Sequence, residues 1–304
     1  MATVGALLGL LATLALDAPG AAPLADRPPA PQPIYGGSVV PAGTWKEVVA
    51  IEVLESGYLC TGTLLADRLV VTAAHCLETA TNPGKIRVSV GDTLPEATFR
   101  TYAASFGVHP DFCGDTETCK QDVHDFAWIR LVDPAPVQPA NILLRQDEWD
   151  AAIAEGAPVT LVGYGEDEKH LQGVKRIAET TITAVSSTGQ EFRAGGEGID
   201  SCQGDSGGPA FVTVDGKVLL AGVVSRGYAC GEGGFYGVPY TVLCWMSDES
   251  GIDIRPPDCA TCDCLETAAK EGCGCRAPAP APADPLALVV PFAAAWLGTR
   301  RRQR

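Results

Sequence analysis

"SCQGDSGGPA", residues 201–210, places one serine between an aspartate and two glycines, with a proline close behind. Two readings compete for it. One is a tight turn that merely needs glycine. The other is a nucleophile, Ser206, held on a loop whose backbone N–H groups face a reacting carbonyl. The choice depends on whether the rest of the chain supplies a base and an acid for that hydroxyl.

The spacing also satisfies the G-x-S-x-G elbow, whose histidine follows the serine in the chain. Here the four histidines, His75, His109, His124 and His170, all precede Ser206, so the elbow reading has no base. The order His…Asp…Ser is available. "VVTAAHC" (70–76) ends an apolar strand pattern with His75 beside Cys76, and "HDFAWIRL" (124–131) puts Asp125 at the start of another. Asp122 lies close by, and the strand pattern favours Asp125 over it. His109, His124 and His170 read as surface or loop residues. With "GDSGGP", the three segments resemble the trypsin/chymotrypsin family of serine proteases over roughly residues 34–253.

The resemblance implies an all-β fold, two packed six-stranded antiparallel β-barrels with a short C-terminal helix. It also implies roles. His75 takes the proton of Ser206 during attack, Asp125 orients His75, and the N–H groups of Gly204 and Ser206 bind the oxyanion. Asp205 is not a member of that triad; it pairs with a new N-terminal ammonium at Ile34 once the chain is cut. "IYGG" (34–37) resembles the mature N-terminus of the family, although Tyr35 departs from it and Pro33 stands where a basic residue is usual.

Asp200, six residues before Ser206, matches the floor of the primary pocket in trypsin-like members. A carboxylate there selects arginine or lysine side chains. Ser225 and Gly227 in "VVSRG" (223–227) match the strand that pairs with substrate backbone, and Gly234 in "GGFYG" matches a glycine that keeps the pocket open. Arg226 stands where the family usually has an aromatic residue, which suggests a neighbouring subsite that favours acidic substrate residues. A chymotrypsin- or elastase-like specificity is the alternative, opposed by Asp200. A catalytically silent, protease-like binding protein is another, opposed by the complete triad.

Composition agrees with this class. A net charge of −15 argues against nucleic acid and suits cationic protein or peptide substrates. Twelve cysteines suit an oxidising compartment. The resemblance pairs Cys60 with Cys76 and Cys202 with Cys230; Cys113 and Cys119 are expected to bridge each other within an insertion. The remaining six, Cys244, Cys259, Cys262, Cys264, Cys273 and Cys275, fit disulfides or lipid attachment better than zinc. "GDTLPEA" (91–97) lacks the acidic spacing of the family's calcium loop, so neither metal nor cofactor is expected.

The strand patterns "VVAIEVL" (48–54), "KIRVSVG" (85–91), "PVTLVGYG" (158–165) and "FVTVDGKVLLAGVV" (211–224) are short, and the last carries an Asp215-Gly216 hairpin signal. A helical pattern is confined to "YTVLCWMSDES" (240–250). The resulting organisation is a signal peptide (1–22), a proline-rich propeptide (23–33), a protease domain (34–253), a Cys-rich segment (254–276) and a tail (277–304). The tail joins an Ala/Pro linker, thirteen apolar residues and a basic end. It resembles the C-terminal sorting tail of myxobacterial surface proteins, which implies a protein secreted from, or held on the outer surface of, a bacterium; a monomer is expected.

Overall fold

The computed structural model of the chain describes residues 34–114, 123–262 and 264. The signal, propeptide and tail assignments, most of the Cys-rich segment, and Cys119, Cys273 and Cys275 lie outside the described residues. The first barrel is built from β2 (Val48–Val53), β3 (Tyr58–Ala66), β4 (Leu69–Thr72), β5 (Ile86–Val90), β6 (Phe99–Val108) and β7 (Ala127–Leu131). It closes in the order β2-β3-β4-β7-β6-β5, every neighbouring pair antiparallel.

The second barrel uses β9 (Pro158–Gly163), β10 (Arg176–Val185), β11 (Glu191–Ala194), β12 (Pro209–Val214), β13 (Lys217–Gly227) and β14 (Gly234–Gly237). The path β10-β11-β14-β13-β12-β9 closes through β9–β10 pairing. Two short strands add to its rim. One is β1 (Ser38–Val39) on β10; the other is β8 (Asn141–Ile142), which runs parallel to β13.

The sequence of β2, VVAIEV, reads as a continuous apolar run because both of its faces are covered. Val49 and Ile51 point into the first barrel's core, while Val48 and Ala50 join a separate cluster with Phe126, Val162, Tyr164 and Phe211. In the second barrel, Leu161 and Val162 divide in the same way between interior and seam. Packing between the barrels thus removes the alternation that marks a half-exposed strand. The Asp215-Gly216 hairpin forms with both residues at positive φ, 49° and 75°, as a two-residue turn matched to strand twist requires.

The C-terminal helix, α2 (Leu243–Ser250), follows a 3-10 turn at Pro239–Val242. Leu243 and Met246 bury it in the seam cluster. An additional helix, α1 (Gln146–Ala152), was not legible: one and a half to two turns are too short to establish a period. Its start is fixed by Glu148, whose carboxylate accepts the N–H groups of Leu144 and Arg145 at 3.2 Å each. Beyond residue 253 the chain remains attached. Cys244–Cys262 staples it to α2, Cys259–Cys264 closes a small loop, and Cys259 belongs to the second barrel's core. These four cysteines are disulfides rather than lipid or zinc sites.

Candidate active site

Both barrels contribute to one cleft of about 220 Å³ lined by His75, Ser206, Ser225, Arg226, Gly227 and Tyr228. β4 delivers His75 on a 3-10 turn at Ala74–Cys76, fastened by the Cys60–Cys76 disulfide. Asp125 precedes β7, next to β4, and is buried. Its carboxylate accepts the His75 backbone N–H at 3.0 Å and lies 2.8 Å from His75 Nδ1. Ser225 donates its hydroxyl to the same carboxylate at 2.7 Å. Burial alone would lower the His75 pKa, but hydrogen bonding to Asp125 and its charge outweigh it, with help from Glu78, so the pKa lies above 6.5.

Ser206 sits just before β12 on a loop tied to β13's outgoing chain by Cys202–Cys230. Gly207 is indispensable there. Its φ is 78°, and a Cβ would stand 2.0 Å from Thr72 Oγ1 and 2.6 Å from Ala73 N. The N–H groups of Gly204 and Ser206 meet no acceptor among the described residues, leaving two donors at the cleft where the sequence expects an oxyanion site.

The sequence did not reveal what holds this loop against the opposite barrel. Thr61, on β3, donates its hydroxyl to Gly204 O at 2.9 Å, accepts the Tyr164 N–H at 3.1 Å, and donates its own N–H to Ser206 O at 2.9 Å. Thr61→Val removes the hydroxyl while keeping the shape, leaving two buried groups without a partner. A loss of about 1–3 kcal/mol of stability follows, and kcat should fall more than the loss of folded protein explains. Parallel melting and active-site titration would check this; unchanged kcat per titrated site would refute a positioning role.

Asp200 is 1% exposed. Its carboxylate accepts the N–H groups of Ser201 at 2.7 Å and Gly233 at 2.9 Å, and burial pushes its pKa up to about 6. Gly227 pairs with Gly234 across β13 and β14, and a Cβ on Gly234 would lie 3.4 Å from Asp200 Oδ1. The predicted pocket residues therefore converge. Asp205 is also enclosed, with the N–H groups of Gly165 at 2.7 Å and Cys202 at 2.9 Å on its carboxylate; burial raises its pKa to about 7. Ile34 is 1% exposed and packs in the second barrel's core.

One expectation needs correction. Arg226 is not available to an acidic substrate residue: its guanidinium forms two hydrogen bonds with Glu191, both 2.7 Å, and lies 4.4 Å from the Phe235 ring centre. His109 and His124 lie in loops, as expected, and are half-buried there. Their rings stack at 5.1 Å, and His109 packs edgewise on Trp245 at 4.6 Å. His170 is exposed, as expected.

Residues 34–244 match the protein family described as Trypsin. Among similar proteins, Serine protease 56 of Mus musculus is 32% identical over 253 residues, covering 74% of this chain and 40% of the relative. Trypsin 5G1 of Aedes aegypti is 27% identical over 240 residues, covering 72% and 85%. Trypsin of Phaedon cochleariae is 30% identical over 220 residues, covering 64% and 80%. The chain thus spans less than half the length of the mouse relative and most of the two insect trypsins.

Proposed function

The chain belongs to the trypsin family, and from that premise we propose that it is a serine endopeptidase that cuts peptide bonds after arginine and lysine. The observation that carries the specificity is the buried Asp200 carboxylate against the paired glycines Gly227 and Gly234, beside the cleft that holds Ser206 and His75. A guanidinium or ammonium reaching that carboxylate gains a charge-assisted bond in a site shielded from water.

Ser206 Oγ attacks the carbonyl carbon, and its proton passes to the Nε2 of His75. Asp125 holds Nδ1 and stabilises the imidazolium. The N–H groups of Gly204 and Ser206 receive the negative charge that develops on the carbonyl oxygen. The C–N bond breaks as His75 gives its proton to the leaving amine. Water, deprotonated by His75, then attacks the acyl-enzyme; the C–O bond to Ser206 breaks, and Ser206 regains its proton.

Two groups set the acid limb. His75 must be neutral to act as a base, and Asp200 must be ionised to bind the substrate cation. Activity therefore rises with pH through both pKa values, one above 6.5 and one at about 6. For an arginyl substrate, kcat/KM should fall with a limiting slope of two below both, while acylation of Ser206 by a small uncharged reagent should fall with a slope of one. Equal slopes for the two would count against Asp200 as the pocket ion.

The same reading includes activation and location. Removal of the chain before Ile34 creates an ammonium that pairs with Asp205. Because Pro33 precedes the cut, a protease requiring a cation in its pocket cannot make it; dipeptide trimming of "APQP" (30–33) by another peptidase can. Purified precursor that yields an Ile34 N-terminus unaided would refute this. The disulfides support secretion, and among the described residues no helix is long and apolar enough to cross a membrane. Sorting to the cell surface by residues 272–304, with cleavage near Cys273 or Cys275, is part of the proposal; mass spectrometry of the native C-terminus tests it, and a mature protein that keeps Trp296 and its terminal arginines would refute it.

A further inference from the structure

Arg226 on β13, Phe235 on β14 and Arg193 on β11 stand in one row across three neighbouring strands, because Phe235 is in register with both arginines. Two guanidinium groups share one ring, Arg226 at 4.4 Å and Arg193 at 5.2 Å from its centre. Tyr228, two residues beyond Arg226, covers Arg193 from a second side at 5.2 Å. Arg226 and Tyr228 line the cleft that holds Ser206, so the row leads outward from the cleft wall.

The two cations differ in their partners. Glu191 satisfies Arg226. Arg193 has no carboxylate within 4.0 Å and no hydrogen bond among the described residues, and its Nε is buried without a partner. Contact with two aromatic rings fixes a guanidinium plane without consuming its donors. Arg193 is therefore a half-buried, preoriented fork of N–H groups with an unanswered charge.

We propose that Arg193 forms an anion subsite that takes an aspartate or glutamate side chain of the substrate. The proposal rests on the arginyl-peptidase reading above. A substrate whose cation enters beside Gly227 and Gly234 continues along the Ser225–Gly227 strand. Ser225 holds the His75 end through Asp125, and His75 serves the leaving amine. Tyr228 lies beyond Gly227, at the other end, and the Arg193 guanidinium packs on its ring, so the acidic residue belongs to the acyl side of the scissile bond. With a net charge of −15, the protein repels acidic peptides at long range, which makes this recognition local.

The test uses the activated enzyme and pairs of arginyl peptides identical except for Asp or Asn, placed two, three or four residues before the arginine. At one of these positions Asp should exceed Asn in kcat/KM by about five- to tenfold. The difference should appear in KM and shrink at high salt. Arg193→Gln should bring the ratio to one, and Arg193→Lys should retain part of it. Both peptides are measured on one preparation, so the ratio does not depend on how much of a variant folds. Equal Asp and Asn rates in the unaltered enzyme, or a preference that survives Arg193→Gln, would overturn the subsite alone. Failure of the activated enzyme to cleave even the Asn peptides would overturn the arginyl reading and the subsite with it.

Discussion

Ser206→Ala lowers kcat/KM toward arginyl peptides by about 10⁴- to 10⁶-fold, the scale of loss when a Ser-His-Asp triad is broken, and leaves the melting temperature nearly unchanged. The reasons are local. The hydroxyl lies in the cleft that holds His75, which Asp125 orients, and on the loop whose Gly204 and Ser206 N–H groups meet no acceptor among the described residues. Without it no acyl-enzyme forms, and the donors and binding that remain keep only about 10³- to 10⁴-fold over water. Nor does the fold rely on it. The loop is held by the Ser206 carbonyl on Thr61, the Cys202–Cys230 bond and the glycine at 207. Steady-state kinetics, titration of the active site and a melting curve on the same preparation check the result. Retention of a tenth or more of the activity would show that Ser206 is not the nucleophile.

The second large effect belongs to Asp200. Asp200→Asn keeps the side chain's shape but removes its charge. A bound arginine would then lie beneath the surface without a counter-ion, and breaking a buried charge pair costs about 3–5 kcal/mol. Arginyl kcat/KM should therefore fall by about 10²- to 10³-fold or more. Ser206 should still react with a small uncharged acylating reagent, since among the described residues no hydrogen bond or ion pair joins Asp200 to His75 or Ser206. That contrast separates loss of specificity from collapse of the site. Undiminished cleavage after arginine in the variant would sink the pocket assignment; loss of labelling as well would mean that Asp200 holds the loop's shape.

How much of this was legible before folding depends on whether a feature is local in the chain. The segments around His75, Asp125 and Ser206 each encode their own backbone course, so the three residues could be picked from short stretches and their order. The barrel strands were visible as brief apolar runs, although runs buried on both faces do not say which face meets which barrel. The Thr61 clamp was not legible, because its bonds reach 103 and 143 residues away in the chain. Arg226 was misread for the same reason. Its neutralising partner, Glu191, lies 35 residues earlier, and only strand register brings the two together. Arg193 carries no motif, and its isolation is a property of the assembled face.

The seam between the barrels has a consequence for how this molecule fails. His75 and Asp125 ride on one barrel, Ser206 and Asp200 on the other, and the disulfides at the cleft, Cys60–Cys76 and Cys202–Cys230, each stay within their own half. No disulfide among these cysteines spans the gap; alignment depends on hydrogen bonds such as those of Thr61 and the Ser225–Asp125 pair, and on the apolar layer. A drift of the two halves by a fraction of a bond length would leave both bodies intact and the proton with nowhere to go. Inactivation is then first a loss of phase between two rigid parts, reversible while each remains folded, and only later a melting of either one.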